Sequence, residues 1–179
     1  MSIQIYILSK LMQGDNYPYK LKKELSEPIP FDKMGNLTES KLYYHFDSLT
    51  KQGLVEPREI IKEEHRPDKQ VFAITDKGRE QLPLKIYELF EKADKISDMV
   101  IGIVFIRHVD KNRIIAIVEK RINDYSTKQS NLNNMYTQLL ENQSLQGNVH
   151  YLQSYINHSI EHEIVWLEKL VEKLKANEI

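Results

Sequence analysis

The chain has 179 residues, of which 41% are hydrophobic and 28% charged, and it contains no cysteine. This length suits one large domain or two small ones, and the absence of cysteine excludes a disulfide framework and a thiolate metal site. The longest apolar run, from Met99 to Ile106, is interrupted by Gly102 and is too short to cross a membrane. The first ten residues lack the features of a secretory signal, so we expect a cytoplasmic protein with no membrane partner.

Positive and negative charges are balanced along the chain. There are 25 Lys and Arg against 26 Asp and Glu, which gives a formal net charge of −1. Residues 1–92 carry 15 basic and 15 acidic side chains, and residues 93–179 carry 10 and 11. Nucleic-acid-binding domains are often basic, so any DNA contact has to depend on local groups of lysine and arginine.

Apolar side chains at helical spacing predict two helices at the start of the chain. The first spans residues 2–12 and is followed by a turn at 14–16, where Gly, Asp and Asn cluster. The second begins at Pro18, because proline is favoured at the first position of a helix, and extends to about Leu25. A loop with two prolines is expected over residues 26–35.

The stretch that begins at Thr38 predicts a third helix, which is the central element of the first half of the chain. Leu42, Phe46 and Leu49 recur at spacings of four and three, so they lie on one helical face. Thr38 is a favoured N-cap residue. Gly53 ends the helix, because glycine adopts the left-handed conformation at little steric cost.

A hairpin is predicted after this helix. Residues 54–62 and 70–75 are rich in Val, Ile, Phe and Thr, and a charged turn at 64–69 separates them. Asp76 is then expected to cap a further helix. A capped helix, a glycine and a hairpin together indicate a winged helix, in which the helix enters the DNA major groove and the hairpin lies beside it.

The second half of the chain is predicted to be helical throughout. A short apolar helix is expected over 99–108, and a long helix begins at Asp110. A break at Gln146-Gly147-Asn148 separates that helix from a last one, which runs from Val149 to about Lys175. We therefore predict a mostly α fold, with an N-terminal winged helix-turn-helix domain with a two-stranded wing in residues 1–92 and a C-terminal α-helical dimerisation domain in 93–179.

The two long helices carry broad apolar stripes with heptad-like spacing. These stripes pair either within one chain, as an antiparallel hairpin, or between two chains, as a dimeric bundle. We favour a homodimer, because an exposed apolar stripe of this length is a liability on a monomer. The residues expected at the dimer interface are Ile115, Val118, Ile122, Tyr125, Leu132, Tyr136, Leu139, Ile164, Trp166, Leu167 and Val171.

Candidate DNA-contacting residues are lysines, arginine, histidine and hydroxyl-bearing side chains on the first half. They are Tyr19, Lys20, Lys22, Thr38, Ser40, Lys41, Tyr43, Tyr44, His45, Arg66 and Lys69. Lysines and hydroxyls suit phosphate oxygens, whereas Tyr44 and His45 can reach base edges. Core packing is the alternative for Tyr43, and solvation is the alternative for Arg66. A two-fold protein reads two half-sites, so the expected partner is double-stranded DNA with a pseudo-palindromic operator.

Residues 158–162 spell H-x-x-E-H, the inverted form of a zinc-peptidase signature. His158 and His162 are one helical turn apart, which permits a shared metal. The motif lies in an apparent helical bundle without an enzyme-sized domain, and short motifs of common residues occur often by chance. We therefore expect no enzyme, no metal site and no cofactor.

Aromatic and histidine side chains also mark a candidate effector site. They are Phe105, His108, His150, Tyr151 and Tyr155. Brought together, they make an aromatic pocket with polar tips, which suits a flat aromatic acid. The alternative is ordinary packing at a domain junction.

Three motifs in the first half resemble those of the PadR family of transcriptional regulators. They are Ile5-Tyr6-Ile7-Leu8 followed by Tyr17-Pro18-Tyr19-Lys20-Leu21-Lys22-Lys23, then Lys41-Leu42-Tyr43-Tyr44-His45-Phe46-Asp47-Ser48-Leu49 leading into Gly53-Leu54-Val55, and Val71-Phe72-Ala73-Ile74-Thr75-Asp76-Lys77-Gly78. The stretch from His150 to Glu168 resembles the longer-tailed branch, which includes phenolic-acid-responsive repressors and relatives of a virulence activator. The resemblance implies a homodimeric regulator, usually a repressor, with its effector between the DNA-binding and dimerisation parts.

The chain departs from the family pattern at two places. Tyr17-Pro18-Tyr19-Lys20 stands where the family often has His-Gly-Tyr-Glu, and Tyr44 stands where a proline often follows the tyrosine at position 43. Lys20 adds a charge suited to phosphate, and Tyr44 changes the surface that meets the bases. The favoured hypothesis is a repressor relieved by a small aromatic effector. The alternative, kept open by the balanced charge, is a winged-helix protein-interaction module without DNA binding.

Overall fold

The structure, a computed structural model, describes residues 2–26, 39–62, 68–139 and 146–179. The chain divides into two compact units, Met1–Leu89 with Ile101–His108, and Phe90–Val100 with Val109–Ile179. The division expected at 92/93 assigns residues 101–108 to the second half, whereas the structure groups them with the first.

Two helices open the first unit, α1 (Ser2–Leu11) and α2 (Pro18–Ser26), close to the predicted bounds. The hydroxyl of Tyr6 on α1 donates a buried hydrogen bond of 2.8 Å to the backbone carbonyl of Leu21 on α2. Because a buried polar group needs a partner, this bond makes the large aromatic ring compatible with the core. The predicted proline loop, from residue 27 on, and the Thr38 cap lie outside the described residues.

Helix α3 (Glu39–Lys51) ends as the sequence predicts. Gly53 has φ of +69°, in the left-handed region that glycine tolerates. The Leu54 amide then donates to the carbonyl of Leu49 at 2.9 Å, which satisfies an end carbonyl that the helix leaves open. The prediction for Gly53 is therefore confirmed.

The predicted hairpin is confirmed as an antiparallel pair, β1 (Val55–Ile61) and β2 (Lys69–Ile74). Its register shifts between Pro57 and Ile60, and proline has no amide hydrogen for the ladder. Most of the charged turn predicted at 64–69 lies outside the described residues. Winged-helix architecture is thus present in the first unit, where the described residues form three helices followed by a two-stranded wing.

Helix α4 (Asp76–Lys92) follows the wing, but the prediction that Asp76 caps it is wrong. The side-chain oxygen of Thr75 accepts a hydrogen bond of 3.0 Å from the amide of Gly78, and this is the N-cap arrangement. The same hydroxyl donates to the carbonyl of Gly53 at 2.8 Å. Thr75 is fixed in place by its own amide, which donates to the Leu54 carbonyl at 3.1 Å, so Asp76 lies one position inside the helix.

The apolar segment predicted as one helix over 99–108 is interrupted. It consists of a 3-10 turn at Ile96–Met99, the short helix α5 (Val100–Val104) and a second 3-10 turn at Ile106–His108. Phe105 is buried and packs edge-on against the ring of Tyr6, with ring centroids 6.1 Å apart. This contact lies within the first unit.

The second unit contains a pair of long antiparallel helices, α6 (Lys111–Leu139) and α7 (Gln146–Lys175). The Nζ of Lys175 lies 2.7 Å from Glu119, and the amide of Asn157 donates to Asn133 at 2.9 Å. The break predicted at 146–148 is wrong, because α7 begins at Gln146. Glycine weakens a helix without forbidding it, and the apolar face that follows Gly147 stabilises this one.

Each unit has its own set of buried side chains. In the first unit the fully buried side chains include Ile5, Ile7, Leu8, Leu21, Leu42, Phe46, Leu49, Leu82 and Ile86. In the second unit the buried side chains include Ile114, Val118, Ile160, Leu167 and Leu174. No helix in the described ranges is long and apolar enough to span a membrane.

Candidate nucleic-acid interface and effector cavity

Helix α3 presents two faces with different chemistry. Its inward face consists of Leu42, Phe46 and Leu49, which are at most 1% exposed. Tyr43 and Tyr44 are 45% and 67% exposed, and Lys41 is exposed beside them. Tyr43 therefore does not pack in the core, and the outward face offers two hydroxyls and an ammonium group to a partner.

His45 lies at the edge of the outward face. It is half-buried, its ring centroid is 5.4 Å from that of Tyr44, and its Nδ1 is buried with no hydrogen-bond partner among the described residues. Burial lowers the pKa of His45, and the charge of Lys41 lowers it further. The ring is therefore neutral at pH 7, so it can read a base edge but adds no charge toward phosphate.

Helix α2 adds three of the predicted contact residues. Tyr19 is 56% exposed, Lys20 is exposed, and Lys22 is half-buried. The ammonium of Lys20 lies 3.9 Å from the carboxylate of Glu24, and an exposed pair at this distance contributes little. Lys20 is thus available to an anionic partner.

A bridge beside the wing was not anticipated from the sequence. The amide of Asn16 donates to the carbonyl of Phe72 at 3.0 Å, and the amide of Phe72 donates back at 2.8 Å. The turn between α1 and α2 is thereby paired with β2. Lys69 at the start of β2 has its ammonium 5.3 Å from the ring centroid of Tyr17, a cation–π contact. Arg66, Thr38 and the side chain of Ser40 lie outside the described residues.

Several residues predicted for dimerisation are already covered within one chain. Val118 and Leu167 are fully buried, and Tyr136 and Val171 are nearly so, because α6 and α7 pair with each other as an intramolecular hairpin. Trp166 is 47% exposed. The partly exposed members are Ile115, Ile122, Tyr125, Leu132 and Ile164, and the side chain of Leu139 lies outside the described residues.

The predicted effector residues fall into two sets. Phe105 and His108 belong to the first unit, with ring centroids 6.4 Å apart, and burial followed by the charge of Arg107 lowers the pKa of His108. His150, Tyr151 and Tyr155 are exposed on α7 in the second unit. Their union in one pocket stays a prediction.

The H-x-x-E-H residues lie along one solvent-facing side of α7. The Nδ1 of His158 is 2.8 Å from the carbonyl oxygen of Ser154, and the ring of His162 lies 6.4 Å from that of Trp166. Over the described part of the chain, no group of three or more His, Cys, Asp or Glu side chains is arranged to hold a metal ion.

Three polar side chains, Arg121, Tyr125 and Glu163, bind the end of α4 and the segment after it, a role that the sequence did not indicate. The guanidinium of Arg121 donates to the carbonyls of Ala93 and Glu91, the latter at 2.8 Å. The hydroxyl of Tyr125 donates to the carbonyl of Asp94.

On α7, the carboxylate of Glu163 accepts a hydrogen bond of 2.9 Å from the amide of Ile96. Burial raises the pKa of Tyr125, and the charge of Glu163 adds to that rise. Arg121 and Tyr125 are one turn apart on α6, and this spacing is the sequence signal that could have indicated that both bind the same backbone segment.

Comparison with known proteins finds a family model that is similar to part of the first unit. Residues 7–83 match the model of the transcriptional regulator PadR-like family. No curated protein is significantly similar to the chain.

Three solved structures align over nearly the whole chain. PadR of Bacillus subtilis in complex with operator DNA is 17% identical, with a TM-score of 0.42, over 97% of this chain and 99% of that one. The same protein in complex with p-coumaric acid is 17% identical, with a TM-score of 0.38, over 98% and 99%.

The third structure is the PadR-like regulator BC1756 of Bacillus cereus, which is 20% identical with a TM-score of 0.40 over 97% of this chain and 96% of that one. The winged helix seen here and the family match cover the same residues. Residues 7–83 of this chain are therefore similar to the transcriptional regulator PadR-like family, in a match that covers less than half of the chain.

Proposed function

We propose that this chain is a dimeric, DNA-binding transcriptional regulator that acts as a repressor and is relieved by a small aromatic effector such as a phenolic acid. The observation that carries the proposal is the division of α3 into a buried apolar face and an outward face with Lys41, Tyr43 and Tyr44. A winged-helix protein presents this helix to the major groove of double-stranded DNA. A regulator of this kind acts in the cytoplasm.

Phosphate contact in this proposal comes from lysines near the outward face of α3. Lys41 lies on α3 itself, while Lys20 and Lys23 are exposed on α2. Residues 1–92 carry as many acidic as basic side chains, so these local groups carry the attraction. Binding should therefore be weak on non-specific DNA and should weaken steeply as salt concentration rises.

In the same proposal, residues 1–92 bind DNA and residues 93–179 form the dimerisation and effector domain. Helix α7 keeps large apolar side chains exposed although it pairs with α6: Tyr151, Leu152, Tyr155, Val165 and Trp166. Exposed apolar side chains of this size on one helix are typical of a protein–protein interface. A second copy of the chain is the expected occupant, and its symmetry suits a pseudo-palindromic operator.

The effector part of the proposal is supported by the second unit. Tyr155, one of the predicted effector residues, lines a cavity of about 490 Å³, which lies within the usual range for small-molecule sites. The ring of a phenolic acid would lie against tyrosine and isoleucine side chains there.

Fluorescence anisotropy with a labelled duplex from the chain's own upstream region tests the proposal. We expect saturable binding at 50 mM salt, competition by unlabelled specific duplex, and a loss of affinity of at least about tenfold by 200 mM salt. A hydroxycinnamic acid should then release the duplex and raise the melting temperature by mass action. A duplex left unbound at 50 mM salt would contradict the DNA part of the proposal.

The balanced charge of residues 1–92 supports a second candidate, a winged helix used as a protein-interaction module. The two candidates differ in the role of the outward face of α3. The same anisotropy titration separates them, because an interaction module leaves the duplex unbound at every salt concentration.

A further inference from the structure

The second unit contains an open cavity of about 490 Å³. Helix α6 contributes one face to it at positions 121, 124, 125 and 128, and α7 contributes another at 155, 156, 159, 160 and 163. These positions follow helical spacing, so two continuous helix faces look onto one space. The segment after α4 closes one side with Asp94 and Lys95.

The lining combines rings with charges of both signs. Tyr125 and Tyr155 supply aromatic surface. The positive charges are those of Lys95, Arg121 and Lys128, and the carboxylates are those of Asp94, Asp124 and Glu163. Among the described residues, neither Asp124 nor Lys128 has an ion-pair partner. Charged groups of both signs therefore face one cavity, and Asp124 and Lys128 can each bind a charged group of a ligand.

Glu163 has unused bonding capacity toward this space. One of its oxygens, Oε2, accepts the hydrogen bond from the Ile96 amide, whereas within the described ranges Oε1 accepts none. An ionised carboxylate has about four acceptor positions. A half-buried carboxylate with an open oxygen beside Tyr125 suits an ammonium group from a ligand.

We propose that this cavity binds an aromatic α-amino acid. Its ammonium group would bind the carboxylates of Glu163 and Asp124, its carboxylate would bind the ammonium of Lys128, and its ring would lie against Tyr125 and Tyr155. The proposal deepens the effector part of the proposed function, because it names for the same cavity a ligand whose positive charge matches Glu163 and Asp124, which a phenolic acid leaves unmatched. Only its regulatory consequence rests on the proposed function.

That consequence follows from the position of the site. Tyr125 and Glu163 also hold the segment after α4, through the carbonyl of Asp94 and the amide of Ile96. A ligand bound to the same two side chains competes with these bonds or strengthens them. Binding of a ligand in the cavity is therefore coupled to the position of the segment that follows α4.

The test uses three ligands that share one ring and differ only in charge. They are L-phenylalanine, 3-phenylpropanoic acid, which lacks the amine, and phenethylamine, which lacks the carboxylate. Isothermal titration of the full chain should give phenylalanine at least about tenfold higher affinity than either analogue, which corresponds to about 1.4 kcal/mol. Equal or tighter binding of either analogue, or no binding of phenylalanine, would overturn the proposal.

Two variants test which side chain binds each charged group of the ligand. Glu163→Gln keeps an acceptor for the Ile96 amide, and it should weaken phenylalanine and phenethylamine at least about fivefold while leaving 3-phenylpropanoic acid unchanged. Lys128→Gln should weaken phenylalanine and 3-phenylpropanoic acid instead. Circular dichroism spectra that match the spectrum of the unmodified chain would show that both variants fold.

Variants that weaken all three ligands equally would also overturn the assignment. The duplex titration without ligand stands apart from these measurements, so failure of the amino-acid site and failure of DNA binding are distinguishable.

Discussion

Gly78 lies against the backbone of Leu54 so closely that a Cβ atom on the glycine would be 2.1 Å from the Leu54 carbonyl oxygen and 2.7 Å from a side-chain carbon of Ile74. The Leu54 oxygen cannot retreat freely, because it accepts the amide of Thr75 at 3.1 Å. A side chain at position 78 therefore forces the first turn of α4 away from the wing. The close approach of these two backbones fixes the start of α4 against the segment that connects α3 to the wing.

Gly78→Ala should destabilise the first unit. We expect a loss of about 1–3 kcal/mol in the free energy of unfolding, because overpacking forces neighbouring backbone to move. Gly147→Ala is the matched control, since nothing lies within 4 Å of a Cβ there and alanine favours a helix. Urea denaturation of both variants measures the difference, and equal stabilities would contradict the close contact.

Tyr6→Phe removes one buried hydrogen bond and little else. The Leu21 carbonyl loses the donor that lies 2.8 Å away, and leaving a buried acceptor unpaired costs about 1–3 kcal/mol. Tyr151→Phe is the control, because Tyr151 is 72% exposed and surface changes stay within about 0.5 kcal/mol. Thermal melts of the two variants should separate clearly. Indistinguishable melting temperatures would exclude a stabilising role for this bond.

Stability should fall in mild acid because of His45. Its pKa in the folded chain is below the ordinary value of 6.5, so between these two pKa values the unfolded chain binds more protons and stability rises with pH. The contribution is present above about pH 6.5 and declines as the pH falls below it. Urea midpoints at pH 7.5, 6.5 and 5.5 measure this.

His45→Gln should reduce the acid-side decline without abolishing it. The pKa of His108 is lowered in the same direction, so His108 continues to contribute in the variant. An unchanged pH profile in His45→Gln would show that burial of this ring does not govern its protonation.

Lys41→Ala should weaken DNA binding and flatten its salt dependence. Loss of one phosphate contact lowers the slope of log K against log salt by about 1. Lys120→Ala is the control, because Lys120 is also exposed but lies on α6 in the second unit. Anisotropy titrations between 50 and 200 mM salt report both slopes. A slope that stays the same in Lys41→Ala removes this residue from the interface.

Trp166→Ala should weaken self-association. The ring is 47% exposed, with the ammonium of Lys169 4.4 Å from its centroid, and exposed tryptophans are frequent anchors of interfaces. We expect the dimer dissociation constant to rise at least about tenfold in sedimentation. Glu172→Ala, an exposed change one turn or more away on α7, should leave it unchanged. Sedimentation of the wild-type chain as a monomer at micromolar concentration would contradict the proposal that it forms a dimer.

Local patterns determined most of the winged helix. The spacing of Leu42, Phe46 and Leu49 requires one buried face whatever the surroundings, and Gly53 marks the helix end because few other residues tolerate its backbone angle. The capping residue of α4 was not determined in this way. Thr75 and Asp76 are both good caps, and the choice between them depends on the hydrogen bonds that Thr75 makes to Gly53 and Leu54.

In the second half of the chain, too, the helical spacing can be read from the sequence, whereas the packing partner of each helix cannot. The stripes on α6 and α7 were readable because helical spacing is a property of the chain alone. Which helix covers which stripe depends on contacts between distant residues, and the fold covers Val118 and Leu167 within one chain while Trp166 stays exposed. Likewise, no local signal joins Tyr125 to Asp94 or Glu163 to Ile96, since these pairs are 31 and 67 positions apart and meet only when the helices pack.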